Sequence, residues 1–130
     1  MSIDPSNPSD DVRAFLAERH LASLTLVRPD GTPHVTPVGF SYEPETRTAR
    51  IITWSASFKA RLTADEPLAA AVCQVDGGRW LTLSGVARCT DDPARAADAV
   101  ARYAARYRPP KERDDRVVIE IDVDKIMGRA

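Results

Sequence analysis

The sequence predicts a mainly β protein, in which six antiparallel strands joined as hairpins close or half-close into a small barrel carrying three short helices. Three observations predict it. Apolar residues recur with a period of two over most of the chain beyond Leu21. Turn sequences separate these runs, Asp76-Gly77-Gly78-Arg79 being the strongest hairpin signal. Helical periodicity is confined to three short stretches. The 130 residues suit one domain, since domains cluster around ~100–150 residues. That domain is expected over residues 9–128, with 1–8 as a polar, proline-bearing flexible lead-in.

The elements follow in order. Ser9 accepts from free N–H groups at a helix start, and Asp10 and Asp11 suit its positive end. Val12, Phe15, Leu16 and Arg19 keep the 3.6 period, which predicts a helix ending near His20. Leu21–Val27 reads as a strand, Arg28-Pro29-Asp30-Gly31 as a turn, and Thr32–Tyr42 as the second strand. Arg47–Thr53 is the third. Ser57 precedes a short helix over Phe58–Ala64, and Leu68–Val75 and Trp80–Cys89 flank the Gly-Gly turn. Asp92-Pro93 caps and opens the third helix, which carries Ala96, Val100, Tyr103 and Tyr107 as an apolar stripe until Pro109-Pro110 stops it. Val117–Ile126 is the last strand, with Val117, Ile119, Ile121 and Val123 inward and Glu120, Asp122 and Asp124 outward.

Composition narrows the function. Lys plus Arg is 18 and Asp plus Glu is 19, a net charge of −1, so there is no general basic field for nucleic acid. No apolar run approaches the ~20 residues of a membrane span, and the start lacks the apolar core of a secretory signal. Cys73 and Cys89 sit in strand-like segments without metal-ligand spacing and read as small core residues of a reducing cytoplasm. There is no GxxxxGK and no GxGxxG motif. His20 and His34 are the only histidines, and no serine stands in a nucleophile-elbow context. Hydrolytic and metal chemistry are therefore poorly supported.

Three stretches could carry function. In the second strand, TPHVTPVGFSY, Pro37 cannot donate to a ladder and Gly39 weakens one; the stretch is either a bulge or edge, or a place where a flat ring meets the backbone. Thr53, Ser55, Ser57 and Lys59 lie where a strand enters a helix. Hydroxyls, a lysine and free helix N–H groups make a phosphate cradle, the alternative being Ser57 as a plain cap and Lys59 in solvent. Arg79 and Trp80, at the mouth of a hairpin, suit an anionic aromatic ligand, or else Trp80 fills the core or a dimer interface.

Together these pieces resemble the pyridoxamine 5′-phosphate oxidase-like split-barrel proteins that bind flavin or deazaflavin. LASLTLVRPDGTPHVTPVGF, SFKARLTADEP and CQVDGGRWLTLSG carry the resemblance. Within that family, ERHLASLTLVRPDGTPHVTPVGFSYEPETRTARIIT, QVDGGRWLTLSG, ARYAARYR and RVVIEI are similar to the actinobacterial F420-dependent biliverdin reductases. The resemblance runs from about Ser9 to Gly128. It implies a six-stranded split β-barrel, a homodimer with cofactor sites at the interface, and coenzyme F420 as cofactor, with FMN as the alternative. Val35, Thr36, Pro37 and Val38 would lie along the ring, and Thr53, Ser55, Ser57 and Lys59 would hold the phosphate. Gln74, Arg79 and Trp80 would come from the partner subunit or line the substrate side. Arg61 and the Arg95, Arg102 and Arg106 face are candidates for the carboxylate tail that F420 has and FMN lacks. The implied reaction is hydride transfer to a small conjugated substrate such as biliverdin, a tetrapyrrole, with the proton donor open among His34, Arg79 and solvent. A non-catalytic carrier of F420, flavin or haem is the remaining alternative.

Overall fold

Side chains that satisfy free N–H groups start all three helices. The computed structural model, which describes residues 2–130, places α1 at Asp10–Ala17, α2 at Phe58–Asp65 and α3 at Pro93–Arg106. Ser9 accepts from the Val12 N–H, Ser57 from Ala60 and Asp92 from Arg95, each three residues into its helix.

The strands are β1 (Ser2–Ile3), β2 (Ala22–Val27), β3 (Pro33–Val38), β4 (Ser41–Glu43), β5 (Thr48–Trp54), β6 (Leu68–Asp76), β7 (Arg79–Thr90) and β8 (Arg116–Arg129). All pair antiparallel in one sheet of order β3-β2-β6-β7-β8-β5-β4, with β1 alongside β8. The mainly β expectation and the three helices stand, but the sheet has eight strands, not six. Ser2–Ile3, inside the expected lead-in, pairs with Ile126 and Met127. The expected strand Thr32–Tyr42 divides into β3 and β4 at Gly39-Phe40.

That division shapes the whole sheet. β3 and β4 lie at opposite ends of the strand order and share no ladder among the described residues. Yet only Gly39 and Phe40 separate them in the chain, a span of at most ~11 Å. The sheet therefore rolls until its two edges almost meet, leaving a seam in place of a closing ladder. Inside the roll lies the core, which includes the fully buried Phe15, Leu24, Leu26, Phe40, Ile51, Leu81, Leu83, Ile119, Ile121 and Ile126.

The alternation in β8 slips once. Val123 is buried, Asp124 and Lys125 are exposed, and Ile126 is buried again. Lys125 pairs with Ser84 and Val123 with Gly85, so Asp124 is the extra residue of a bulge. The slip returns Ile126 to the core, where unbroken alternation would have exposed it. Val118 departs from alternation for another reason: it is buried on the opposite face of a strand against which α2 and α3 both pack.

The bulge brings backbones close. A Cβ on Gly85 would stand 1.8 Å from the Asp122 carbonyl oxygen. Gly85→Ala is expected to destabilise the protein by about 1–3 kcal/mol, as overpacking does. Gly78→Ala, where the nearest atom would be the end of Arg129 at 3.8 Å, should stay within about 0.5 kcal/mol of the parent. Urea midpoints measure both, and equal midpoints for the two variants would contradict this account of the bulge.

Candidate functional site at the seam

The seam holds a groove. β5 ends at Trp54, and the chain turns sharply into α2: Ser55 N–H donates to Asp115 O at 2.9 Å and Ser57 N–H to Trp54 O at 3.0 Å. This turn sets Lys59 beside the end of β3. A cleft of about 230 Å³ results, lined by Pro37, Gly39, Trp54, Lys59, Tyr103 and Arg116 among others. Its lining is mixed, with Trp54 and Tyr103 beside Pro37 and Gly39, and one end is cationic. The Lys59 ammonium lies 5.7 Å from the centre of the Trp54 ring. Burial lowers its pKa from the usual lysine value. Arg116 donates to the carbonyls of Thr53 (3.4 Å) and Lys111 (2.8 Å). Neither cation has a carboxylate partner among the described residues.

On the other flank of Lys59, the His34 ring packs on Phe58 with centres 4.9 Å apart. The guanidinium groups of Arg28 and Arg61 stand 5.6 and 5.7 Å from the same ring. Burial first, then the charges of Arg28 and Lys59, push the His34 pKa down, so its imidazole is neutral near pH 7. His34 Nδ1 and Thr36 Oγ1 are buried without a hydrogen-bond partner. Two unpaired polar atoms on one face of an edge strand, beside unpaired cations, leave bonding capacity that a polar ligand would use.

The expected site residues divide. Lys59 lines the groove together with Pro37, Val38 and Thr53, Ser55 is exposed in a separate cleft with Cys89 and Thr90, and Arg61 extends the basic cluster. Thr53 and Ser57 stand at the same junction, but their hydroxyls are buried and turned on each other: Thr53 Oγ1 donates to Ser57 Oγ at 2.9 Å, and Ser57 Oγ caps Ala60 N–H. Both side chains hold the turn. In β3, Val35 and Pro37 are exposed on the outer face, whereas Thr36 and Val38 point inward. The four can line one flat ligand together only through their backbone, which is free along this edge of the sheet.

Gln74 is fully buried. Its amide donates to Phe15 O (3.1 Å) and accepts from Arg106 (2.7 Å), so within the subunit it is a core link, away from the groove. Arg79 is held by Glu18 in a bidentate pair (2.9 and 3.1 Å) and by Asp76, and its guanidinium covers Phe15. Trp80 is half-buried opposite Val75, at the rim of the outer sheet face. Arg102 and Arg106 are bound into the fold, Arg102 by Glu43 and Asp98 and Arg106 by three neutral acceptors. Arg95 lies 3.7 Å from Glu120.

Sequence reasoning missed Tyr103, Arg116, Arg28 and Phe58 as groove or rim residues. Tyr103 was legible only as part of an apolar stripe, and Arg116 offered no local signal.

A rolled antiparallel sheet with a cation-ended groove at its seam, walled in part by Trp54 and Tyr103, has the features a flat anionic ligand would use. Residues 8–129 match the pyridoxamine 5′-phosphate oxidase family, and the chain belongs to that family. It is 49% identical over 122 residues to an F420H(2)-dependent biliverdin reductase of Mycobacterium tuberculosis, covering 94% of this chain and 88% of that protein. A solved structure described as an F420 reductase is 26% identical, with a TM-score of 0.68 and coverage of 93% of this chain and 98% of the other. The fold alone is shared with a conserved hypothetical protein of Mycobacterium tuberculosis at 19% identity and a TM-score of 0.76, over 95% of this chain and 85% of that one.

The Glu18–Arg79 pair makes a pH prediction. The Arg79 hydrogen bonds, then that of His20, bring the Glu18 pKa down to about 2 from its usual 4.5. A depressed carboxylate pKa adds stability that is full above about pH 4.5 and is lost as pH falls toward about 2. A carboxyl-detected NMR titration should place the Glu18 midpoint near about 2, and Arg79→Ala should raise it toward the ordinary range. A midpoint in the intact protein already at the ordinary value would mean that the pair does not form in solution.

Proposed function

We propose that this protein is an F420-dependent oxidoreductase that reduces a small conjugated substrate, biliverdin being the substrate class its relative names. The observation that carries the reading is the 49% identity to an F420H(2)-dependent biliverdin reductase across 94% of the chain. The groove's cations support the phosphate end of such a cofactor: among the described residues Lys59 and Arg116 lack carboxylate partners, and Thr36 Oγ1 and His34 Nδ1 are orphaned on the neighbouring edge strand. Bound F420 supplies a hydride donor. Lys59 and Arg116, with Ser55 nearby, would hold its phosphate by charge-assisted contacts. The free backbone of Val35–Val38 would serve the ring system, and Trp54 and Tyr103 would shield it from water. The half-buried Arg28 and the exposed Arg61, around Phe58, would meet the carboxylates of the tail.

A homodimer belongs to the same proposal. Leu21, just before β2, and Val35 of β3 and Val75 of β6 are exposed on the outer face, with Pro37, Ser23 and Cys73 between them. An apolar sheet face of this kind favours a second copy. The partner's Trp80 and Arg79 would then approach the groove. We place the protein in the cytoplasm, where Cys73 and Cys89 stay free.

FMN is the second reading, because it shares the flat tricycle, the ribityl chain and the phosphate, and the chain belongs to the oxidase family. Titration of F420 and FMN side by side at low and high salt separates them. F420 is expected to bind more tightly, with the advantage shrinking in salt because exposed pairs are screened. Tighter FMN binding under both conditions overturns the choice. Lys59→Ala should weaken F420 binding by roughly 10-fold to 100-fold, the value of a charge-assisted contact; unchanged affinity would remove Lys59 from the site. Sedimentation should give twice the 14.2 kDa chain mass. Leu21→Asp, altering a side chain 69% exposed in the single subunit, should shift the protein toward the monomer without lowering its helix or sheet content. A parent protein that sediments as a single chain at micromolar concentration rejects the dimer.

A further inference from the structure

A second pocket, of about 360 Å³, opens between α1, β4 and the C-terminal half of α3 and shares no lining residue with the groove. Leu16 and Tyr42 give it apolar walls, and Arg13, Arg102, Arg106 and Ser41 supply its polar groups. Its charge is unbalanced. Arg102 is neutralised by Asp98 at 2.9 Å and Glu43 at 3.0 Å. Arg106 donates to Glu18 O, Phe40 O and Gln74 Oε1, all uncharged acceptors, and no carboxylate lies within ion-pair distance among the described residues. Arg13 donates to Pro8 O at 3.1 Å and likewise has no carboxylate. The Ser41 hydroxyl is buried and makes no hydrogen bond. A partly buried guanidinium without a counter-charge is costly, and an anion entering from solvent offsets that cost.

We propose that this pocket binds a small organic carboxylate with an aryl or branched-alkyl body. The carboxylate meets Arg13, the Arg106 charge and the Ser41 hydroxyl, and the body lies between Leu16 and Tyr42. The volume falls at the lower end of the small-ligand range, ~300–1,000 Å³. A guanidinium fork matches a carboxylate, and the walls ask for apolar surface that a bare inorganic anion lacks. Arg13 and Arg106, without carboxylate partners, disfavour a cation. The site stands apart from the function proposed above and does not rest on it.

The test is an amide NMR titration of the intact protein with phenylacetate, its neutral counterpart phenylacetamide, and inorganic phosphate. Phenylacetate should give saturable shifts at Ser41 and Tyr42, and phenylacetamide should bind at least about 10-fold more weakly, the effect of ~1.4 kcal/mol. Arg13→Gln, which alters an exposed side chain, should weaken phenylacetate several-fold and leave the thermal midpoint in place. No saturable shift, equal binding of the amide, or unchanged affinity in Arg13→Gln overturns the site. Phosphate binding as tightly as phenylacetate overturns the assignment to an organic ligand. The comparison of acid with amide in the parent protein decides the matter even if a variant fails to fold.

Discussion

Two residues carry the chain from one edge of the sheet to the other, and the architecture depends on how that crossing is locked. Gly39 and Phe40 join β3 to β4, so the sheet must stay rolled for the link to reach. Among the described residues no ladder closes the seam; the end of α3 does. Tyr107 Oη donates to His20 O at 2.6 Å and accepts from Phe40 N–H at 3.1 Å. Arg106 donates to Phe40 O at 2.7 Å, and also to Glu18 O and to Gln74, whose own amide holds Phe15 O. One helix end thus binds β4's approach, α1's exit and β6 together. Bonds from a charged donor are worth about 1.5–3 kcal/mol each, more than neutral ones. Gly39 is the enabling residue, since a Cβ there would stand 2.9 Å from Tyr103 and 3.1 Å from Tyr107. The packing that locks the seam also sets Tyr103 as a wall of the groove, so fold closure and site formation share one contact.

Much of the fold was legible because local chemistry and tertiary demand agree. Ser9, Ser57 and Asp92 cap helices as their side chains predict, and Asp76-Gly77-Gly78-Arg79 makes its hairpin with Gly77 at positive φ. What escaped is set by distant partners. Ser2–Ile3 is too short to show a period and is a strand only because β8 lies beside it. The break at Gly39 comes from tyrosines more than sixty positions further along the chain. The slip in β8 comes from β7, where Gly85 admits the bulge.

The site was legible in part for the same reason. Lys59 stands on the element that makes the cradle, so its neighbourhood is local. Thr53 and Ser57 also lie there, but a buried hydroxyl finds the nearest acceptor: Thr53 donates to Ser57, whose oxygen also caps Ala60. Gln74 reads as polar and available, yet it points into a core whose backbone and arginine consume its amide. Arg79 reads as a free cation at a hairpin mouth, yet α1 delivers Glu18 to it. Tyr103 and Arg116 reach the groove from α3 and the start of β8. No spacing in the sequence announces a meeting of that kind.

A net charge of −1 hides the separation on which ligand binding turns. Arg50, Arg79, Arg102 and Arg113 are matched with carboxylates. Among the described residues Lys59, Arg28, Arg61 and Arg116 are not, and these four gather where β3, α2 and the start of β8 meet. Total charge governs solubility and long-range encounter; unpaired charge within a Debye length governs what a groove retains. The burial that lowers the Lys59 pKa also reduces the screening of its field, so a phosphate bound there would be held more strongly than carboxylates at the half-buried Arg28 and the exposed Arg61. Such a gradient, from a half-buried cation outward to more solvated ones, would anchor a ligand by its phosphate and leave its tail free to vary.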